Sequence, residues 1–179
     1  IAAVSDILGS QKEAIEETCK LLGVQGHILP VSYDKTPPLA TYADGTEVLG
    51  EHYIDVANPK VAKQKIISLR TIPKIKIDDD AKKAIQQADM IVIGPGDLYT
   101  NTVANLVVSG VKEAIESSMA KVVFVMNLMS RMGETYQYKA SNFLNDLSIY
   151  LNPDRVDFVI INSETSPSPA VLKKYEAEG

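Results

Sequence analysis

The sequence predicts an α/β fold built on a mostly parallel β-sheet. Three short runs rich in Val and Ile follow one another in the C-terminal half, at residues 90–93, 122–126 and 158–161, with helical patterns between them. Strands that alternate with helices form parallel sheets through right-handed crossovers. A length of 179 residues, 45% of them hydrophobic and 23% charged, is typical of one globular domain. We therefore expect a single α/β domain over residues 1–179.

Composition and charge exclude several classes of protein. The longest uninterrupted apolar run is residues 122–126, far short of the ~20 residues that cross a bilayer, so no membrane partner is expected. Cys19 is the single cysteine, and with two histidines the chain cannot supply a Cys/His zinc cage. This cysteine usage fits a reducing, cytoplasmic setting. The formal net charge of −5 gives no electrostatic argument for a nucleic-acid partner.

The N-terminal region is predicted to begin with a helix over residues 11–22. Ser10 and Glu13 have the spacing of a capping box, in which side chains satisfy free N–H groups of the first turn. Gly23 suits the left-handed position that ends many helices. Residues 26–31 then form a short apolar run, which predicts a buried strand.

A small β-hairpin insertion is predicted next. Residues 39–42 and 47–49 flank Asp44-Gly45, a pair that supplies the positive φ angles of a tight turn. Residues 66–69 are a further strand candidate.

Three consecutive aspartates, at positions 78 to 80, come before a helix predicted over residues 81–88. Carboxylates at this place cap free N–H groups and complement the helix dipole. Capping explains the triplet better than a metal site, because adjacent residues point in different directions.

The loop after the first strand of the C-terminal half suits an anionic ligand. It leads into a helix predicted over residues 103–117. Glycines let the backbone approach a ligand closely, and the N–H groups and hydroxyls of a helix start suit a phosphate. The same pattern is typical of a tight turn with Asn101 or Thr102 as N-cap, so both interpretations stay open. The candidate ligand-binding residues are Gly94, Pro95, Gly96, Asp97, Leu98, Tyr99, Thr100, Asn101 and Thr102.

The loop after the second strand is also dense in polar groups. Asn127 can hold a base or ribose edge, Arg131 can pair with a phosphate, and Glu134 can accept from hydroxyls or hold a metal. The third strand end offers Asn162, Ser163 and Glu164, for which a plain surface loop is an equal interpretation. Because the carboxyl ends of parallel strands share one edge of the sheet, we expect these loops to lie together.

Two signatures resemble those of a known family. Three stretches resemble the first signature of the gluconeogenesis-factor (YvcK-like) family. They are Ala88-Asp89, the run Ile-Val-Ile-Gly-Pro-Gly-Asp-Leu-Tyr-Thr at 91–100, and Asn105-Leu-Val-Val with Gly110. Asn127-Leu-Met and Gly133-Glu-Thr135 resemble its second signature, which adds Gly133 and Thr135 to the ligand-binding residues. This CofD-like superfamily includes 2-phospho-L-lactate transferase. The resemblance covers nearly the whole chain and implies a Rossmann-like three-layer sandwich.

The resemblance implies a binding protein for a nucleotide or nucleotide-sugar. UDP-N-acetylglucosamine is the type of ligand expected, in a regulator of central carbon metabolism and cell shape. No cofactor, metal site or catalytic residue is assigned, and a homodimer is compatible with the sequence. The resemblance also implies a fragment of a longer family member, without the family's N-terminal glycine-rich segment and C-terminal extension.

The alternative is a phospholactyl-type transferase of coenzyme F420 biosynthesis. In that case Asp97 or Glu134 would hold Mg²⁺. The first loop favours the regulator, because the transferases carry a Gly-Pro-Ser-Asn-Pro type of turn where residues 94–100 stand here.

Overall fold

Two three-stranded sheets organise the fold, in a computed structural model that describes residues 1–56, 58–163 and 167–175. The strands are β1 (Pro38–Tyr42), β2 (Glu47–Leu49), β3 (Ile66–Thr71), β4 (Met90–Ile93), β5 (Lys121–Val125) and β6 (Phe158–Ile160). The helices are α1 (Ala2–Leu8), α2 (Gln11–Leu21), α3 (Glu51–Asp55), α4 (Asp79–Gln87), α5 (Ala104–Leu106), α6 (Val111–Ser117), α7 (Ala140–Tyr150) and α8 (Pro169–Tyr175). A π-helical segment, Leu98–Val103, leads into α5, and a 3-10 turn, Pro153–Arg155, precedes β6.

The second sheet is parallel and confirms the predicted fold class. Its strand order is β4-β5-β6, with Val92 opposite Val123 and Val123 opposite Phe158. Ile93, Val122 and Phe124 face a core that also contains residues of α6 and α7, the two crossover helices. In the part of the chain that the structure describes, no helix is long and apolar enough to span a membrane.

The first sheet is antiparallel and contains the predicted hairpin. Its order is β2-β1-β3, with Leu39 opposite Leu49 across the hairpin. Gly45 has a φ of 85°, and the Thr46 N–H donates to the Asp44 carboxylate at 2.9 Å, as the turn prediction requires. The strand predicted at 66–69 is confirmed as β3, which lies on the other side of β1.

Two predicted helix starts are confirmed by their caps. Ser10 Oγ accepts from the Glu13 N–H at 3.2 Å at the start of α2. At the start of α4, the Asp78 carboxylate accepts from the Asp80 N–H at 2.9 Å. The sequence did not predict α1 and α3, which have no side-chain cap at their first residues.

The helix predicted over residues 103–117 is wrong, because the chain breaks it in two. Gly110 separates α5 from α6 with a φ of 99°, and a Cβ there would lie only 2.7 Å from Ile77 Cγ2. The first half also begins earlier than predicted, with Asp97 immediately before the π-helical segment. Asn101 and Thr102 are therefore inside this segment, and the prediction that either is its N-cap is wrong.

The strand predicted at residues 26–31 is also wrong. This stretch has no regular secondary structure and pairs with no strand in the described residues, and Ile28 is 55% exposed. Among the backbone hydrogen bonds described, the one that holds its end is donated by the Asp78 N–H to the Val31 carbonyl, at 2.8 Å. A strand needs a neighbour for its backbone polar groups, which the periodicity of a single segment does not report.

Buried tyrosines connect the two sheets. The Tyr99 hydroxyl donates to the Asp146 carboxylate at 2.7 Å and lies 2.8 Å from the Ile66 carbonyl of β3. Tyr138 donates to the same carboxylate at 2.5 Å, and Lys65 forms an ion pair with it at 2.6 Å. These residues form the tyrosine cluster, in which the half-buried Tyr138 packs against the core.

Alkaline unfolding tests this burial. Desolvation raises the pKa of Tyr42 to about 12, and it also raises the pKa values of Tyr99 and Tyr138. In the unfolded chain these phenols ionise at pH ~10. Above that pH, ionisation stabilises the unfolded state, whereas the buried phenols of the folded state stay protonated.

We expect the unfolding free energy to be insensitive to these groups below pH ~10 and to fall above it by about 1.4 kcal/mol per pH unit for each phenol. Urea unfolding across this range measures the slope. Tyr42→Phe should reduce the slope by about 1.4 kcal/mol per pH unit, the contribution of one phenol. An unchanged slope in this variant would contradict the burial of Tyr42 as the cause.

Candidate functional site

A groove lies where β4 and β5 end, at the carboxyl edge of the parallel sheet. Its volume is about 680 Å³. Parallel α/β sheets bind ligands at this edge. We name it the loop groove, and it is lined by Pro95, Gly96, Asp97, Asn101, Asn127, Leu128, Met129, Ser130, Arg131 and Tyr175.

Two glycines bring the first loop against its neighbours. Gly94 has a φ of 80°, and a Cβ at this position would lie 2.7 Å from the Val125 carbonyl oxygen. A Cβ at Gly96 would lie 3.2 Å from Asn101 Cβ, and the Gly96 N–H donates to Asn127 Oδ1 at 3.2 Å. This hydrogen bond from the Gly96 backbone to the Asn127 side chain joins the two loops at the floor of the groove.

The carboxylate of Glu134 is buried beneath the first loop and is only 1% exposed. One oxygen accepts from the N–H groups of Tyr99 and Thr100, at 2.8 and 3.2 Å. The other accepts from the Thr100 hydroxyl at 2.6 Å. Desolvation raises the pKa of Glu134, and the hydrogen bonds from Thr100 and Tyr99 oppose this shift. The Glu134 carboxylate therefore accepts from the N–H groups of Tyr99 and Thr100 and from the Thr100 hydroxyl, which the sequence predicts as donors to a phosphate.

Arg131 forms a salt-bridge clamp at one wall of the groove. Its Nη1 lies 2.5 Å from Asp97 Oδ2 and 2.6 Å from Asp55 Oδ1. Desolvation opposes the guanidinium charge, but the carboxylates of Asp97, Asp55 and Glu134 more than offset it and raise the pKa of Arg131. The Thr135 N–H donates to the Arg131 carbonyl at 2.8 Å and fixes the turn that carries this side chain.

The three acidic groups near this clamp have the chemistry of a divalent cation site. Oxygens of Asp55, Asp97 and Glu134 lie within 4.8 Å of one another, and carboxylates suit Mg²⁺. However, Arg131 already contacts two of them, and both oxygens of Glu134 accept hydrogen bonds. This arrangement does not fit Mg²⁺, because the Arg131 guanidinium already supplies the positive charge between the carboxylates of Asp55 and Asp97.

All but one of the predicted ligand-binding residues fall into two groups. Those that line the loop groove are Pro95, Gly96, Asp97, Asn101, Asn127 and Arg131. Those that are buried and support the loops are Leu98, Tyr99, Thr100, Thr102, Gly133, Glu134 and Thr135. Gly94 is half-buried at the end of β4, and Glu164 of the third predicted loop lies outside the described residues.

Asp55 is the site residue that sequence reasoning missed. It ends the short helix α3, far along the chain from the two loops, and contacts Arg131 only through the tertiary fold. No local motif marks it, since a lone carboxylate at a helix end is common on protein surfaces.

The fold and the loop groove define a Rossmann-like α/β protein with polar loops at the carboxyl edge of its parallel sheet. The family model described as 2-phospho-L-lactate transferase CofD matches residues 1–179. The chain belongs to this CofD family.

Individual relatives agree with this assignment. The chain is similar to a Thermotoga maritima protein described as "Putative gluconeogenesis factor", with 42% identity over all of this chain and 55% of the relative. A Halalkalibacterium halodurans protein described as "Gluconeogenesis factor" is 35% identical, over 99% of this chain and 54% of the relative. The crystal structure of protein BH3568 from Bacillus halodurans superposes with a TM-score of 0.90 at 36% identity, over 99% of this chain and 55% of that one. The chain therefore spans about half the length of these relatives.

Removal of the buried carboxylate tests its supporting role. Glu134→Ala leaves the N–H groups of Tyr99 and Thr100 without their acceptor, and we expect it to lower the unfolding free energy by about 2–4 kcal/mol. Glu134→Gln keeps an oxygen acceptor of the same shape and should cost less than about 1 kcal/mol. Urea unfolding of both variants measures the difference. Equal losses would show that the hydrogen bonds are not what holds the loop.

Proposed function

We propose that this chain carries the nucleotide-sugar site of a gluconeogenesis factor, a regulatory protein of central carbon metabolism and cell shape. UDP-N-acetylglucosamine represents the expected class of ligand. The loop groove carries the proposal, because it brings a close-approach glycine, an amide and a guanidinium to one edge of the sheet. The names of the relatives support the regulatory role.

The groups that line the loop groove suit the parts of such a ligand. Arg131 supplies the positive charge for a diphosphate, and Gly96 lets that group approach the backbone. Asp97 and Asp55 both pair with Arg131, so a diphosphate would bind this guanidinium by displacing one of the two carboxylates. Leu128 and Met129 are exposed beside these polar groups and offer apolar contact to a base or sugar ring.

Transfer of a phospholactyl group is the alternative, and the description of the family model gives it weak support. That reaction would require Mg²⁺. The carboxylates of Asp55 and Asp97 do not fit this ion, because both already pair with Arg131. We therefore favour ligand binding without turnover, and the two functions predict different ligands.

A thermal-shift screen separates the two functions. The purified chain is heated with UDP-sugars, GDP or NADP, each with and without Mg²⁺. A ligand at ~100 times its dissociation constant adds about 2.7 kcal/mol to the unfolding free energy and raises the midpoint. We expect a selective shift with UDP-sugars that does not require Mg²⁺. A shift with GDP that requires Mg²⁺, followed by product formation from a phospholactyl nucleotide and a deazaflavin, would instead establish the transferase.

A substitution at Gly96 tests the position of the ligand. Gly96→Val places a branched side chain where a Cβ would already lie 3.2 Å from Asn101 Cβ, on the backbone that the diphosphate approaches. We expect UDP-sugar affinity to fall more than tenfold by isothermal titration calorimetry, with the circular dichroism spectrum unchanged. Gly26→Val is the matched control, because a Cβ there meets nothing within 4 Å. Full affinity in Gly96→Val would move the ligand out of the loop groove.

A further inference from the structure

The guanidinium of Arg131 is held by two of the protein's own carboxylates before any ligand arrives. We infer that these carboxylates have different roles: Asp97 is an internal competitor that a ligand phosphate displaces from Arg131, whereas Asp55 stays paired and keeps the guanidinium in position. The inference rests on the proposed function, because it requires an anionic ligand in the loop groove. Asp97 would then set how tightly the groove binds that ligand.

Both aspartates contact the same nitrogen of the guanidinium. Arg131 Nη1 donates a hydrogen bond to Asp97 Oδ2 at 2.5 Å and forms an ion pair with Asp55 Oδ1 at 2.6 Å. In the part of the chain that the structure describes, Nη2 of Arg131 makes no hydrogen bond. A phosphate that replaces a carboxylate on Nη1 can therefore also accept from Nη2, in the bidentate geometry typical of arginine and phosphate.

The position of the groove decides which carboxylate is replaced. Asp97 lines the loop groove together with Gly96 and Asn101. Asp55 ends α3 and is not part of this lining. A ligand in the groove therefore approaches the guanidinium on the side of Asp97, and the ion pair with Asp55 can remain.

The Asp97 side chain can leave Arg131 without a change in the loop. Its carbonyl accepts from the N–H groups of Asn101 and Thr102 at 3.2 and 3.0 Å, and the next residue, Leu98, is buried, so the backbone is fixed. The side chain makes no capping hydrogen bond to the π-helical segment. Asn101 Nδ2 lies 3.4 Å from Asp97 Oδ2 and offers a donor to the released carboxylate.

Asp55 is well placed to hold Arg131 during this exchange. The residue before it, Ile54, is fully buried in the core, and the Val56 N–H after it donates to the His52 carbonyl at 2.8 Å. The backbone on both sides of Asp55 is thus fixed. Arg131 therefore keeps one counter-charge when Asp97 leaves.

This arrangement makes Asp97 unfavourable for binding in two ways. The ligand must first break the contact between Asp97 and Arg131. The released carboxylate then remains beside the phosphate and repels it, since like charges a few ångströms apart interact strongly near a protein surface. We therefore expect that removal of the Asp97 charge, although this residue lines the site, tightens binding.

Calorimetric titration with inorganic pyrophosphate tests the role of Asp97. We expect Asp97→Asn to bind this probe about tenfold more tightly than the unchanged chain. Asp55→Asn is the matched control, because it removes the same charge from the same guanidinium outside the groove, and it should tighten binding less than about threefold. Glu47→Gln removes an exposed carboxylate paired with Arg70 and should leave the affinity unchanged.

Carboxyl NMR of the unchanged chain shows directly which aspartate is displaced. The aspartate carboxyl carbons are labelled with ¹³C, and the signals of Asp97 and Asp55 are assigned by their loss in Asp97→Asn and Asp55→Asn. We expect pyrophosphate to shift the Asp97 signal and to leave the Asp55 signal nearly unchanged. This readout does not depend on the affinity of a variant.

Four results would overturn the inference. They are no pyrophosphate binding by either the unchanged chain or Asp97→Asn, no tightening in Asp97→Asn, equal tightening in Asp97→Asn and Asp55→Asn, and a shift of the Asp55 signal in place of Asp97.

The proposed function can fail separately. If pyrophosphate gives the expected pattern but no UDP-sugar binds, the inference stands and the nucleotide-sugar site is wrong. If a UDP-sugar binds with the same affinity to the unchanged chain and to Asp97→Asn, the nucleotide-sugar site stands and Asp97 is not a competitor.

Discussion

The site depends on the buried carboxylate of Glu134. It accepts hydrogen bonds from two backbone N–H groups and one hydroxyl of the first loop, while its own backbone belongs to the second loop. Desolvation makes this position costly for a charge, so the three donors are what keep the carboxylate there. The loop groove exists because this interaction fixes the two loops against each other at the ends of β4 and β5.

The positive charge in the loop groove is already more than matched by the protein's own carboxylates. Arg131 is held between Asp97 and Asp55, so any phosphate that reaches it competes with two carboxylates. Such competition lowers affinity but raises selectivity, because a ligand must supply a better-placed anion than the protein does. The same clamp explains how an aspartate can stand in a loop proposed to bind a diphosphate.

Much of this architecture follows from short-range sequence signals. The pair Asp44-Gly45 predicts the hairpin turn, Asp78 predicts the start of α4, and the Val- and Ile-rich runs predict the parallel strands. Predictions failed where the outcome depends on distant residues. Residues 26–31 have the composition of a strand without a paired neighbour in the described residues. The π-helical start at Leu98 likewise depends on a carboxylate from the second loop, which no local pattern reports.

Tyr99 has a consequence for how the groove communicates with the rest of the molecule. Its N–H contacts Glu134, while its hydroxyl contacts Asp146 of α7 and lies against the Ile66 carbonyl of β3. The side chain is fully buried, and close-packed interiors transmit displacements because they have little room to absorb them. Tyr99 therefore couples the first loop mechanically to the antiparallel sheet, because a shift of this loop displaces a hydroxyl that lies against β3. If the loop groove binds the proposed ligand, this contact is a route by which binding could alter the antiparallel sheet.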